Sequence, residues 1–212
     1  MKVSRNDFQH NQGTTLLVEE ITGKTDIVVE NNQFQHNRFQ KNTALSSAVK
    51  LGTSGNSSEI QICLYGNLIH RNVMEIILQI GRTVQKNTPI DVKVAVVGNS
   101  FLENLALDTA YLATNNAKIS YNSFNNAEAR CELRTGLKIS QAQINATNNY
   151  WGSSKHDKVM DRICDSHKNQ SLIPVEVMPF LSAAPEQLFT NVKQLGNLLS
   201  KVYDFSGFLV RK

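Results

Sequence analysis

The chain has 212 residues, 41% of them apolar, and a formal net charge of +4. Such a length supports one sizeable core, or one domain with an appendage. Scattered Lys and Arg, with no basic run interleaved with aromatics, argue against nucleic-acid binding, and neither a signal-peptide-like stretch in MKVSRNDFQHNQ nor a membrane span elsewhere is found.

In chain order, one six-residue phrase recurs. It reads NDFQHN at 6–11, NQFQHN at 32–37, NLIHRN at 67–72 and NSFLEN at 99–104, then shortens to NSFNN at 122–126 and closes as NYWG at 149–152. The leading residues are Asn6, Asn32, Asn67, Asn99, Asn122 and Asn149, at intervals of 26, 35, 32, 23 and 27. A constant phrase at unequal spacing describes a fixed rung joined by loops of variable length. Alternating or β-branched runs precede the phrases (DIVVEN, EIQICLYGN, DVKVAVVGN, AKISYN, QINATNN), and weaker apolar runs follow most of them (TTLLVEE, AVKL, EIILQI, TAYLAT). Both are strand signals, and the phrases lack the 3.6-residue periodicity of helical repeats. Strand, Asn-containing turn, strand and loop make one coil. The expected fold is therefore all-β, a right-handed parallel β-helix (the pectin-lyase-like solenoid) of about six coils over residues 1–151.

Coils of such a solenoid stack about 4.8 Å apart, so equivalent side chains lie above one another. Asn tolerates the left-handed backbone of a sharp turn and its amide can bond the coils on either side, which places the six leading Asn at turns. Phe8, Phe34, Ile69, Phe101, Phe124 and Trp151 are the expected interior column, each contributing roughly 1.5–3 kcal/mol by burial. The same stacking sets His10 over His36 within about 5 Å, with Arg71 and Glu103 continuing the column as an exposed ion pair. Two imidazoles without a third ligand read as solvated, so no metal or other cofactor is expected. The first phrase begins almost at the N-terminus with no cap before it, so the chain reads as a fragment whose further coils lie upstream.

Cys63, Cys131 and Cys164 are odd in number and lack metal-ligand spacing, which argues against a disulfide framework while leaving room for one pair. Asn56, Asn145 and Asn169 stand in Asn-X-Ser/Thr sequons and are candidate glycosylation acceptors, no more numerous than chance supplies in a chain rich in Asn, Ser and Thr. In NNYWGSSKHDKVMDRICDSHKNQ, residues 148–170, Asp157, Asp161 and Asp165 are four apart and would share one face of a helix. Val159, Met160, Ile163 and Cys164 make an apolar stripe on the other face. An amphipathic lid over 152–181, with its charges toward solvent, accounts for both, whereas a cation loop needs denser oxygen ligands. Beyond it, Leu188, Val192, Leu195 and Leu199 follow Pro185 at helical spacing, giving an expected helix over 182–201 and a tail over 202–212.

The stretch INATNNYWGSSKHDKVMDRICD…SLIPVEVMPFL, 144–181, resembles the closing segment of β-helix arrays in the bark beetle (anakonda) family of epithelial junction proteins. Its Asn-Asn-Tyr-Trp-Gly end of the last rung, its Ile-Cys-Asp where that family has Ile-x-Asp, and its Pro-Phe-Leu terminus carry the likeness. With the upstream rungs it extends over about residues 1–181. The resemblance implies a non-catalytic scaffold or recognition module at the cell surface, with a protein or glycan ligand at a cell contact. The scavenger-receptor, CUB and lectin-like modules and the membrane span of that family are not in this sequence. The rival expectation is a pectin-lyase-like polysaccharide-processing enzyme, active or degenerate. That chemistry needs carboxylates with Arg or Lys clustered on neighbouring coils. Asp26, Asp91 and Asp108 are well separated in the chain, so no catalytic residue is assigned.

Overall fold

The structure, a computed structural model, describes residues 1–21, 23–39, 46–53, 60–81, 92–114, 116–138 and 143–185. Each coil lays down three strands. The first holds β1 (Lys2–Ser4), β2 (Asp7–Gln9) and β3 (Leu16–Ile21), and the second β4 (Thr25–Glu30), β5 (Gln33–Gln35) and β6 (Ser47–Thr53). The third holds β7 (Ile60–Tyr65), β8 (Leu68–His70) and β9 (Ile76–Gly81), and the fourth β10 (Val92–Val97), β11 (Ser100–Leu102) and β12 (Asp108–Ala113). The fifth holds β13 (Asn116–Ser120), β14 (Ser123–Asn125) and β15 (Cys131–Thr135). The sixth opens with β16 (Ile144–Asn145) and is closed by α1 (His156–Met160), β17 (Ile163–Cys164) and β18 (Val175–Glu176).

Strands that recur once per coil can pair only with their equivalents, and they do so in parallel. The three sheets run β1-β4-β7-β10-β13-β16-β18, β2-β5-β8-β11-β14 and β3-β6-β9-β12-β15-β17. The fold is a parallel β-helix. One detail differs from expectation. The recurring phrase is not simply a turn, because its centre forms the short strands of the second sheet. Three residues between two bends suffice to pair with the coils on either side while the middle one points inward.

The interior follows from register. Ile27, Ile62, Val94 and Ala117 form one column of the first sheet, and Val29, Leu64, Val96 and Ile119 the next. Across the rod, Val49, Leu78, Ala110, Leu133 and Ile163 make a column of the third sheet. All of these side chains are buried. β-Branched and leucine side chains at every second position suit this pleated, one-sided burial.

The left-handed backbone falls elsewhere than expected. The residue before each leading Asn has positive φ: Arg5, Asn31, Gly66, Gly98, Tyr121 and Asn148 lie between 53° and 64°. A second bend repeats this at His10, His36, Arg71 and Glu103, with φ of 53–56°. The leading Asn is thereby released from the strained position and turns its side chain along the rod axis. Asn6, Asn32, Asn67, Asn99, Asn122 and Asn149 form a ladder. Each donates its backbone N–H and one Nδ2–H to the Oδ1 of the next, at 2.8–3.1 Å. From the second coil on, Nδ2 also donates back to a carbonyl of the preceding coil, as from Asn67 to Val29 O at 2.9 Å.

The last Asn of each phrase builds a second ladder that the list of leading Asn did not include. Asn11, Asn37, Asn72, Asn104 and Asn126 repeat the same bonds at 2.9–3.0 Å. Between the ladders runs the interior column. Phe8 stacks on Phe34 at 4.7 Å, Ile69 stands between Phe34 and Phe101, and Phe101, Phe124 and Trp151 stack at 4.9 and 4.6 Å.

Residues 152–181 cover the far end and also add strands to it, since β17 extends the third sheet and β18 the first. A disulfide between Cys131 and Cys164 ties β15 to β17, while Cys63 is free and buried. The expected helix over 182–201, beyond residue 185, and the tail over 202–212 lie outside the described residues. Among the described residues no helix is long and apolar enough to cross a membrane.

Candidate functional site

At the capped end, the second ladder meets a group of another kind. Asn126 would need an acceptor one coil further on, but the phrase there ends at NYWG. Glu132 takes that place. Its Oε1 accepts Asn126 N and its Oε2 accepts Asn126 Nδ2, both at 2.8 Å. Arg162 then donates from Nη2 to Glu132 Oε1 at 2.8 Å and to the Asn126 carbonyl, and from Nη1 to the Ala127 carbonyl at 3.4 Å. Burial pushes the Glu132 carboxyl up, against the downward pull of the Asn126 bonds and the Arg162 charge. Neither residue was singled out in the sequence. The only trace of them is the shortening of NSFNN, which deletes the bend residue before the last Asn of the phrase.

The acidic stretch 157–165 departs from expectation. The helix is a single turn ending at Met160, so Asp165 is not on its face. Asp157 and Asp161 are exposed as expected, but Asp165 is wholly buried behind β17. It accepts His167 N at 3.0 Å and Val175 N at 2.9 Å, holding the start of β18 against the loop that follows β17. A buried carboxylate that binds two backbone donors organises a loop rather than holding a cation. Val159 and Ile163 are buried as the apolar side of the lid.

Further along the rod, Asp108 is also buried and is clamped by Arg130 at 3.0 Å and Arg134 at 3.1 Å. The Arg134 guanidinium lies 5.7 Å from the centre of the Tyr111 ring, whose hydroxyl is held above its ordinary value mainly by burial. Asp26 lies in β4 and is exposed, and Asp91 lies outside the described residues. Burial pushes the Cys63 thiol up to about 12, which leaves it an unreactive thiol.

Three of the five histidines, His10, His36 and His70, stack along the outer edge of the second sheet. His10 and His36 rings are 5.3 Å apart and nearly parallel, and His70 meets His36 edge-on at 5.7 Å. His70 comes from the neighbouring column, where it follows Gln35 in register, and its Nε2 lies 2.7 Å from Gln35 Oε1. Arg71 and Glu103 continue the His10 column as an exposed pair at 2.8 Å, and the Arg71 bond holds the Glu103 carboxyl below its ordinary value. Among the described residues no group of three or more His, Cys, Asp or Glu is arranged to hold a metal ion.

Of the sequons, Asn145 is half-buried in β16, with its Oδ1 accepting Thr147 N and Oγ1, and Asn169 is exposed. Asn56 lies outside the described residues. Beside the Glu132–Arg162 pair and Trp151, the surface opens into a cleft of about 300 Å³. No family model, no curated protein and no solved structure matches this chain.

Proposed function

We propose that the chain is a non-catalytic scaffold and recognition module of an extracellular or cell-surface protein, of the kind its last rung resembles at epithelial junctions, with a protein or glycan ligand at a cell contact. One observation carries this reading. The three most deeply buried carboxylates among the described residues are each spent on holding the solenoid together: Asp108 between two arginines, Glu132 at the end of an Asn ladder, and Asp165 on two backbone amides. A general acid or base must be free to exchange a proton with substrate, and none of the three is placed for that. The disulfide supports the extracellular part, because such bonds persist in oxidising compartments. Stacked coils supply long, rigid lateral faces suited to extended partners.

The test pairs two measurements on the purified chain. Incubation with uronic-acid polymers and Ca²⁺ yields no unsaturated or hydrolysed products, and the immobilised chain retains a glycan or a cell-surface protein from an epithelial extract. Sustained turnover would overturn the reading in favour of a polysaccharide-processing enzyme.

A further inference from the structure

We infer that Cys164 is a thiol-exchange site, the sulfur at which a thiol-bearing molecule opens the Cys131–Cys164 bond of the lid, with Lys168 as the positioning residue. This goes beyond the scaffold reading and does not rest on it.

Access singles out one sulfur. A thiolate that opens a disulfide has to reach one of its two sulfur atoms. Cys131 is wholly buried in β15, while Cys164 is half-buried in β17, the edge strand of the third sheet among the described residues. The free cysteine, Cys63, is buried with its thiol pushed up to about 12, so it does not compete.

Charge points to the same sulfur. The exposed Lys168 ammonium donates to the Asp161 carbonyl and lies 3.8 Å from Cys164 Sγ. A cation there attracts the incoming thiolate and steadies the negative charge as it spreads over the sulfurs. The nearby Asp165 carboxylate is buried and already bound to two backbone amides. The neighbouring coil adds to the effect. Arg134 is the register partner of Cys164, and Asp108, the register partner of Cys131, is clamped by both Arg130 and Arg134. Two guanidiniums on one carboxylate leave a net positive charge on the side of the departing sulfur.

The thiolate forms a bond to Cys164 Sγ as the bond to Cys131 breaks, and Cys131 leaves as a thiolate that takes a proton from water. A second thiol then displaces the first from Cys164, so two thiols are oxidised to one disulfide while the protein's own bond is reduced. If Cys131 returns instead, the original bond reforms and the thiol departs unchanged. Exchange thus frees β17 from its covalent tie to β15, while Asp165 and the Arg162–Glu132 pair still hold the lid.

The folded full chain is incubated with glutathione, quenched in acid, then unfolded, alkylated and mapped by peptide mass. Glutathione is found on Cys164 and the alkyl group on Cys131. Lys168→Ala slows the exchange about fivefold, and Lys168→Arg restores most of the rate. An uncharged trialkylphosphine reduces the original chain and Lys168→Ala at equal rates, because charge does not guide it, whereas a lid merely loosened by the substitution would react faster with both reagents. Glutathione on Cys131, an unchanged glutathione rate in Lys168→Ala, or no exchange without denaturant would each overturn the inference.

Discussion

The two ends of the stack carry the same phrase under opposite conditions. At the first coil, β1, β2 and β3 each pair on one side only among the described residues. Phe8 is half-buried, Leu17 is 50% exposed, and the Oδ1 atoms of Asn6 and Asn11 accept no hydrogen bond among the described residues. At the last coil Trp151 is 2% exposed, the Asn126 ladder ends on a carboxylate, and a disulfide and Asp165 hold the lid down. The contrast shows that a rung residue has no fixed energetic weight. Its weight depends on whether a coil lies on one side of it or on both, as expected of a structure whose stability is a sum of nearest-neighbour terms.

The largest effect tests that contrast in the aromatic column. Phe101, fully buried between Ile69 and Phe124, should cost about 3–5 kcal/mol when replaced by Ala, measured by chemical denaturation. Phe8→Ala removes the same atoms from a site covered on one side and should cost only about 1–2 kcal/mol. Equal losses would mean that the first coil is as firmly packed as the fourth.

The next effect concerns what holds the capped end. Cys131 and Cys164 are 33 residues apart, so joining them removes roughly 3–4 kcal/mol of chain entropy from the unfolded state. The double variant Cys131→Ala, Cys164→Ala should lose about that much stability. Amide exchange should rise across 152–181 and stay unchanged in β4 and β5. Uniform acceleration along the rod would show that the coils unfold as one unit and that the ends do not differ in the way described.

The sequence already displayed the coil, because stacking demands that like residues recur, and recurrence is visible without coordinates. Phe8, Phe34, Ile69, Phe101, Phe124 and Trp151 could be aligned by eye for that reason. The left-handed positions could not, because Arg5, His10, Glu103 and Tyr121 share no chemistry. The fold requires only the backbone angle there and accepts many side chains that tolerate it. Glu132 and Arg162 were equally hidden, and so was the loop-holding role of Asp165. Each acts once, where the repeat stops, and a feature that occurs once leaves no period to read. The acidic spacing 157, 161, 165 even suggested a helix face that the chain does not build, because the helix stops after one turn.

The Asn ladders give a smaller effect of the same form. Asn72 accepts two bonds from Asn37 and donates to Asn104 Oδ1 and to the Phe34 carbonyl, all in the buried interior. Asn72→Ala should cost about 2–3 kcal/mol, since several buried groups lose their partner at once. Asn11→Ala, at a rung open on one side, should cost under about 1 kcal/mol. Denaturation midpoints of the two variants make the comparison directly.

The smallest effect separates the third coil, which carries His70, from the capped end by the sign of their response to pH. Burial first, then the His36 and Arg71 charges, hold the His70 pKa below its ordinary 6.5, with Glu103 opposing them. The unfolded chain therefore takes up this proton more readily, and stability falls as pH drops below 6.5, while above it His70 has no effect. Glu132 at the capped end does the reverse. Its folded pKa lies above 4.5, so its contribution is present below that value and is lost as pH rises through the folded pKa. His70→Gln should flatten the decline of the unfolding midpoint on the acid side of 6.5, and Glu132→Gln should leave that decline in place while removing the opposing trend nearer 4.5. Two variants with superimposable pH profiles would show that neither group titrates differently on folding.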